Sequence, residues 1–276
     1  MDGFSLIEIL SLAALLLGLG LTAGFLSGLL GVGGGIVLVP GLYYIFTSLG
    51  FPEEFLMHMA VGTSLAIIVP TGFSSARSHY KRGNVDLGLV KTIGIGILIG
   101  VGIGTYIADL VSGDELQGIF ASCLLLMAAI MAFKPARFQI ADKIPAQPTP
   151  ALVGTVIGAL STLMGIGGAS LSVPFMTMCG QAIHRAVGTA AAIGLVISIP
   201  AVAAFIVIGK EISGLPPFSL GYINILAWLF ITPVSVLTAP FGVRVAHKAS
   251  VDRLRALFAF FLLIVATKMF WDIFSK

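Results

Sequence analysis

A glycine-rich turn occurs twice inside apolar sequence, and this duplication constrains the fold more than any other feature. The first copy runs Gly24-Phe25-Leu26-Ser27-Gly28-Leu29-Leu30-Gly31-Val32-Gly33-Gly34-Gly35-Ile36-Val37-Leu38-Val39-Pro40. The second runs Gly158-Ala159-Leu160-Ser161-Thr162-Leu163-Met164-Gly165-Ile166-Gly167-Gly168-Ala169-Ser170-Leu171-Ser172-Val173-Pro174. Serine, glycines and proline stay in register at an offset of 134 residues. Within lipid the backbone must satisfy its own hydrogen bonds, so a helix breaks there only where protein buries it or where it lines a cavity. Two broken helices at corresponding places in two halves point to the substrate site of a transporter.

Composition makes the chain an all-α polytopic membrane protein. Of 276 residues, 58% are hydrophobic and only 10% charged, with apolar runs long enough to span a bilayer. The net charge of +3 is small and scattered, which leaves no footprint for nucleic acid. Cys123 and Cys179 form no C-x-x-C pair, so neither a disulfide framework nor a zinc site is expected. No cofactor or metal is expected either. Residues 1–20 lack a basic n-region and run directly into the first glycine motif, which argues against a cleavable signal peptide.

The duplication continues beyond the turns. His58-Met59-Ala60-Val61-Gly62-Thr63 matches His184-Arg185-Ala186-Val187-Gly188-Thr189 at an offset of 126. Leu116-Gln117-Gly118-Ile119-Phe120-Ala121 matches Leu254-Arg255-Ala256-Leu257-Phe258-Ala259 at an offset of 138. Each half therefore reads as a glycine-broken helical hairpin followed by three transmembrane helices. The segments are about 5–49, 58–80, 86–110 and 115–133, then 150–180, 184–208, 219–246 and 252–274. This divides the chain into a first repeat, 1–133, a proline-containing cytoplasmic linker, 134–149, and a second repeat, 150–276.

Charge decides whether each turn reverses the chain or merely kinks one span. With reversal, 12 of the 15 basic residues fall on one side and 3 on the other. With a kink the split is about 10 to 5. Reversal fits the positive-inside rule, placing the basic loops in the cytoplasm and both termini outside the plasma (inner) membrane. A hairpin plus three spans crosses an odd number of times, so the second repeat is inverted, which is the structural logic of alternating access. The segments after the glycines, 36–49 and 169–180, reach only about 21 and about 18 Å, less than the ~30 Å hydrocarbon core. They read as half-helices whose tips approach the midplane from opposite faces.

The tips have a chemistry. Glycine allows positive φ and lets a ligand approach without a Cβ in the way. A helix start directs free N–H groups and a positive dipole end into each turn. Together these make an anion site without a fixed charge. The candidate substrate-binding residues are Gly31, Gly33, Gly34, Gly35, Gly165, Gly167 and Gly168, with the hydroxyls Ser27, Ser161, Thr63, Thr189, Ser64 and Ser170. Arg185, beside the exit of the second hairpin, is the basic residue best placed to join them. The competing reading of any one glycine turn is close helix packing, and that of the hydroxyls is back-bonding to their own helices.

The paired G-x-G-G-G/A-x-x-x-x-P turns, the A-V-G-T that follows each, the size and the duplication resemble the sulfite exporter TauE/SafE family, also called the 4-toluene sulfonate uptake permeases. Gly31, Gly33, Gly34 and Pro40 match that family's first turn; Gly165, Gly167, Gly168 and Pro174 match its second. Ala169 departs from the pattern where the first copy has Gly35. The resemblance implies a carrier for sulfite, sulfonates, related organosulfur anions or other small carboxylates. It is not specific for substrate.

Other features carry weaker expectations. Glu8, Asp109, Asp114, Glu115 and Asp272 lie near predicted helix ends, whereas a proton relay usually shows a mid-span carboxylate. An anion leaving an inside-negative cell gains about 2.3 kcal/mol per 100 mV, so export fits better than uptake; sodium held by turn carbonyls stays open. Arg77, His79, Lys81 and Arg82 read first as a topogenic anchor and second as an anion funnel. His58 and His184 occupy equivalent positions and read as caps or interfacial contacts, and Cys179 as a small buried hydrophobe. Gly96, Gly100 and Gly104 leave one helix face bare, which suits packing within the subunit or across a homodimer. No nucleophile–base or metal constellation supports an enzyme. The reading is a secondary transporter exporting a small anion, sulfite or an organosulfonate. The alternatives are an anion channel, or a carrier for a small carboxylate or thiosulfate.

Overall fold

A computed structural model describes residues 6–30, 34–132, 141–246 and 251–275. Its described residues form ten helices and one minimal β-hairpin. In chain order they are α1 (Leu6–Leu30), α2 (Gly35–Ser48), α3 (Glu53–Lys81), α4 (Leu87–Leu110) and α5 (Gly113–Ala132). Then come α6 (Thr149–Leu163), α7 (Ala169–Met178), α8 (Ile183–Gly209), β1 (Ser219–Leu220), β2 (Ile223–Asn224), α9 (Ile225–Ala246) and α10 (Val251–Phe274). Seven helices are long and apolar enough to cross a membrane; α2, α6 and α7 are shorter.

Each expected hairpin is a pair of helices broken at the glycines. The two arms that follow the turns have 14 and 10 residues, about 21 and about 15 Å at 1.5 Å per residue, too short to span. Pro40 and Pro174 sit inside these arms. Each removes an N–H and so frees the carbonyl four residues earlier, at Ile36 and Ser170, within the first turn of the arm.

One sequence expectation needs correction. The segment 219–224 is not the start of a helix but a hairpin, with Ser219 paired to Asn224 and Leu220 to Ile223. Gly221 turns it with φ +55°, and the Ile225 N–H donates to the Phe218 carbonyl at 2.9 Å. α9 therefore begins at Ile225. In the first half α3 begins at Glu53, about one turn before its expected start.

α3 is the central helix: from Phe55 to Ile68 every residue is buried. The principal packing pairs are α4 with α6, α1 with α9, α3 with α8, and α5 with α10. α2 lies on α3 and α7 on α8, while α4 also meets α8 and α9 also meets α3. Exchanging each helix of the first five for its counterpart five places on maps these pairs onto one another. Peripheral helices present large apolar side chains outward, such as Trp271 and Phe274 on α10, as a lipid-facing surface does.

Bare glycine faces set the closest crossings. A Cβ on Gly96, Gly100 or Gly104 of α4 would overlap the carbonyls of Ala151, Thr155 or Ala159 on α6. On the other flank, one on Gly28 would overlap Ala239 and one on Gly242 would overlap Phe25. The α4 glycines thus serve packing within the subunit. Lipid tails are as apolar as leucine, so such helices associate through backbone approach rather than through hydrophobic exclusion of water.

Candidate functional site

The two glycine turns touch. A Cβ on Gly35, the first residue of α2, would sit 2.5 Å from the Gly165 carbonyl oxygen and 2.9 Å from Ile166 Cα. Gly165 in turn lies against Val39 of α2 and Val61 of α3. Only a residue without a side chain lets these backbones approach so closely.

The second turn is built by left-handed glycines. Gly165 has φ +62° and Gly168 φ +70°, a region costly to other residues. α6 closes with the Gly165 N–H donating to the Thr162 carbonyl and the Ile166 N–H to that of Ser161, at 3.2 and 2.9 Å. α7 then opens, Leu171 and Ser172 donating to the Gly168 carbonyl at 3.1 and 2.8 Å. In the first turn Val37 and Leu38 donate to the Gly34 carbonyl in the same way, at 3.0 and 2.9 Å. Gly34 itself is right-handed, at φ −68°, so the first copy uses Gly35 for contact rather than Gly34 for positive φ. Neither arm has a side-chain cap, and the first N–H groups of an uncapped helix lack an intrahelical acceptor. Gly31 and Gly33 lie outside the described residues.

Hydroxyls lie on the helices that flank this contact. Ser64 on α3 donates to the Gly165 carbonyl at 2.8 Å; its repeat counterpart is Ala190, so this bond is one-sided. Ser161, Ser170 and Ser172 are buried, and among the described residues their hydroxyls have no partner. A Cβ on Gly168 would stand 3.2 Å from Ser161 Oγ. Gly167 packs on Ile68 of α3, and its carbonyl meets Gly194 of α8. Ser198, also buried without a partner, lies one helical turn beyond Gly194 on that face. None of the residues gathered here is ionisable. A buried hydroxyl left unpaired costs free energy, so several around one uncapped helix start suit a polar ligand.

Other candidates sit elsewhere. Thr63 and Thr189 are structural partners of helix starts: Thr63 Oγ1 accepts from Asn224 N–H at 2.9 Å, and Thr189 Oγ1 from Asp86 N–H at 3.0 Å. Asn224 and Asp86 in turn cap α9 and α4, accepting from Ala227 and Leu89. Arg185 is paired with Asp86 at 3.0 Å and its side chain is 55% exposed. Ser27 is half-buried on α1 between Gly24 and Gly28, which pack on α9. Cys179 is buried at the end of α7.

The sequence reading missed Ser172, Ser198, Asp86 and Asn224. The last two carried a signal, an acidic or amide residue before each apolar run at the repeat's own offset of 138. It also missed a second feature, a cavity of about 410 Å³ at the opposite end of α3 from Arg77 and Arg82. Glu53, Glu54, His58, Asp109, Asp114 and Tyr222 line it. His58 Nε2 lies 2.8 Å from the Ala108 carbonyl, and the ring stacks on Tyr222 with centroids 4.9 Å apart.

The family profile described as Sulfite exporter TauE/SafE matches residues 16–269. A probable membrane transporter protein of Haemophilus influenzae is 38% identical over 252 residues, 91% of this chain and 95% of that protein. One from Methanocaldococcus jannaschii is 28% identical over 251 residues, 91% of this chain and 92% of the relative. YunE, a probable membrane transporter protein of Bacillus subtilis, is 33% identical over 180 residues, covering 58% of this chain and 65% of that protein. No solved structure matches the chain. Spanning helices and relatives together define the class, a multi-pass membrane transporter. The chain belongs to the TauE/SafE sulfite exporter family.

Proposed function

We propose that the chain is a secondary carrier that exports a small anion, sulfite or an organosulfonate, across the plasma membrane by alternating access. The observation that carries this reading is the contact of the two glycine turns at Gly35 and Gly165, with the unpartnered buried hydroxyls of Ser161, Ser170 and Ser172 on the helices that flank the second turn. Backbone N–H groups at the half-helix tips, with Ser161, Ser170 and Ser172, would hold the oxyanion. In this arrangement the tips are closed on each other, so the anion occupies the site when they part. A site of dipoles and hydroxyls, lacking a fixed countercharge, binds modestly and releases, as turnover requires.

The exchange of packing pairs between the first five helices and the second five supports two repeats related by inversion. Basic residues at the Arg77–Arg82, Arg185 and Arg244 ends would then face the cytoplasm, with both termini outside. Closed tips favour a carrier over a channel, which needs a continuous pore. Counterflow tests this in proteoliposomes. Vesicles preloaded with unlabelled sulfonate should accelerate uptake of labelled sulfonate, and the rate should saturate. Flux that rises linearly with concentration and ignores preloading would overturn the carrier.

A further inference from the structure

The acidic cavity contains one group whose hydrogen bonding is incomplete. His58 Nε2 faces the Ala108 carbonyl at 2.8 Å, and a carbonyl only accepts, so Nε2 carries the ring proton. Nδ1 is then a bare lone pair. It is buried with no partner among the described residues, in a side chain only 4% exposed. The carbonyls of Glu54 and Val111 also face the ring. A proton on Nδ1 would turn this orphaned acceptor into a donor.

Acidic residues from three elements line the cavity around that ring. From α3 itself come Glu53 and Glu54, from the end of α4 Asp109, from the start of α5 Asp114, and from the β-hairpin Tyr222. Burial of the ring works against the imidazolium, while the facing carbonyls and the Asp109 carboxylate work for it, and the Tyr222 face under it adds a cation–π attraction. Burial first, then Asp109 and Glu54, push the Tyr222 phenol up to about 12, so it stays neutral and does not compete for the proton. Among the described residues no group of carboxylates and histidine has metal-holding geometry.

His58 is also joined to the turns by packing. The Tyr222 carbonyl lies on Gly62, where a Cβ would come within 2.7 Å. Two residues on, the Asn224 N–H donates to Thr63. The next residue of α3, Ser64, bonds the Gly165 carbonyl. Histidine, hairpin and turn are thus contiguous through three successive residues of α3.

We propose that His58 binds a proton delivered through the acidic cavity and couples anion export to inward proton movement. The coupling rests on the carrier reading above; the proton site itself does not. With the cavity on the outer face, the proton enters as the anion leaves, and both charges move with an inside-negative potential.

The test uses a sulfonate, whose charge does not titrate with external pH. In proteoliposomes of the full chain loaded with sulfonate and a pH dye, efflux should acidify the interior. Efflux should also rise several-fold as external pH falls from about 8 to about 5, the range of a histidine. His58→Gln keeps an amide donor for Ala108 but cannot take the proton. It should bind sulfonate within about two-fold of the parent, as the turns are intact, yet lose both acidification and pH dependence. Acidification unchanged in His58→Gln, or sulfonate efflux without acidification in the parent, overturns the coupling. Nitrogen NMR of histidine-labelled protein in nanodiscs, with the His58 signal assigned by its loss in His58→Gln, needs no anion. Protonation of Nδ1 between about pH 5 and about pH 8 supports the site even if no sulfonate moves, a result that would sink the carrier reading alone. A ring that never titrates in that range overturns the proposal.

Discussion

Gly35 has no room for a side chain. A methyl group there would press on the Gly165 carbonyl and Ile166 Cα, which are backbone atoms and cannot swing aside. Gly35→Ala is expected to destabilise by about 1–3 kcal/mol, read as a lower melting temperature in detergent. Gly34→Ala should cost less, since a Cβ there would meet nothing closer than the Leu38 side chain at 3.4 Å. Ser161 should behave in the opposite way. Its buried hydroxyl has no partner, so Ser161→Ala is expected to leave stability unchanged or slightly raised while weakening sulfonate binding. A melting temperature that falls with intact binding would assign Ser161 to structure instead. At this scale the glycines were legible because the duplication marks them. The serines were less so: a serine in a membrane helix reads as bonded to its own backbone, and only packing reveals that Ser172 and Ser198 are not.

Helix pairs are held by different means at their middles and at their starts. Along α4 and α6 the backbones touch through Gly96, Gly100 and Gly104, whereas Gly102 faces open space. Gly100→Val should therefore unfold or disperse the protein, and Gly102→Val should be tolerated, as size-exclusion profiles in detergent will report. At helix starts, Asp86 and Asn224 cap α4 and α9 while leaning on Thr189 and Thr63. Asn224→Ala is expected to cost about 1 kcal/mol. Arg185→Ala should cost no more than about 1 kcal/mol, because the Arg185 side chain of its ion pair with Asp86 is 55% exposed and solvent screens such pairs. Element boundaries followed the sequence closely except at the start of α3 and at 219–224. There Leu220, Tyr222 and Ile223 continue the apolar run of α9, and nothing in hydropathy separates a two-residue strand from a helix start. The Pro216-Pro217 pair and Gly221 were the available signals.

For the whole molecule, the charge asymmetry and the exchange of packing pairs carry the reading of two inverted repeats. Twelve of the basic residues segregate to one side in that reading, while Glu53, Glu54, Asp109 and Asp114 gather around the cavity at the other end of α3. A C-terminal fusion should accordingly give an active alkaline phosphatase and a dark fluorescent protein; the reverse pattern would turn the molecule over. The duplication was legible in residues because glycine and proline leave no substitutes at a broken helix. The direct backbone contact of Gly35 with Gly165 was not, since two segments 130 residues apart meet only through the packing of α2, α3 and α6.

In the proposed carrier an oxyanion sits where the turns meet. The most direct test is the thermal shift of the purified protein over a series of sulfite and sulfonate concentrations, in the parent and in Ser161→Ala/Ser170→Ala. A ligand at about 100 times its dissociation constant stabilises the folded state by about 2.7 kcal/mol. The parent should show a saturable shift of that order, and the double variant, equally stable without ligand, should lose most of it. An equal shift in both proteins, or none in the parent with any sulfur oxyanion, would contradict a site between the turns.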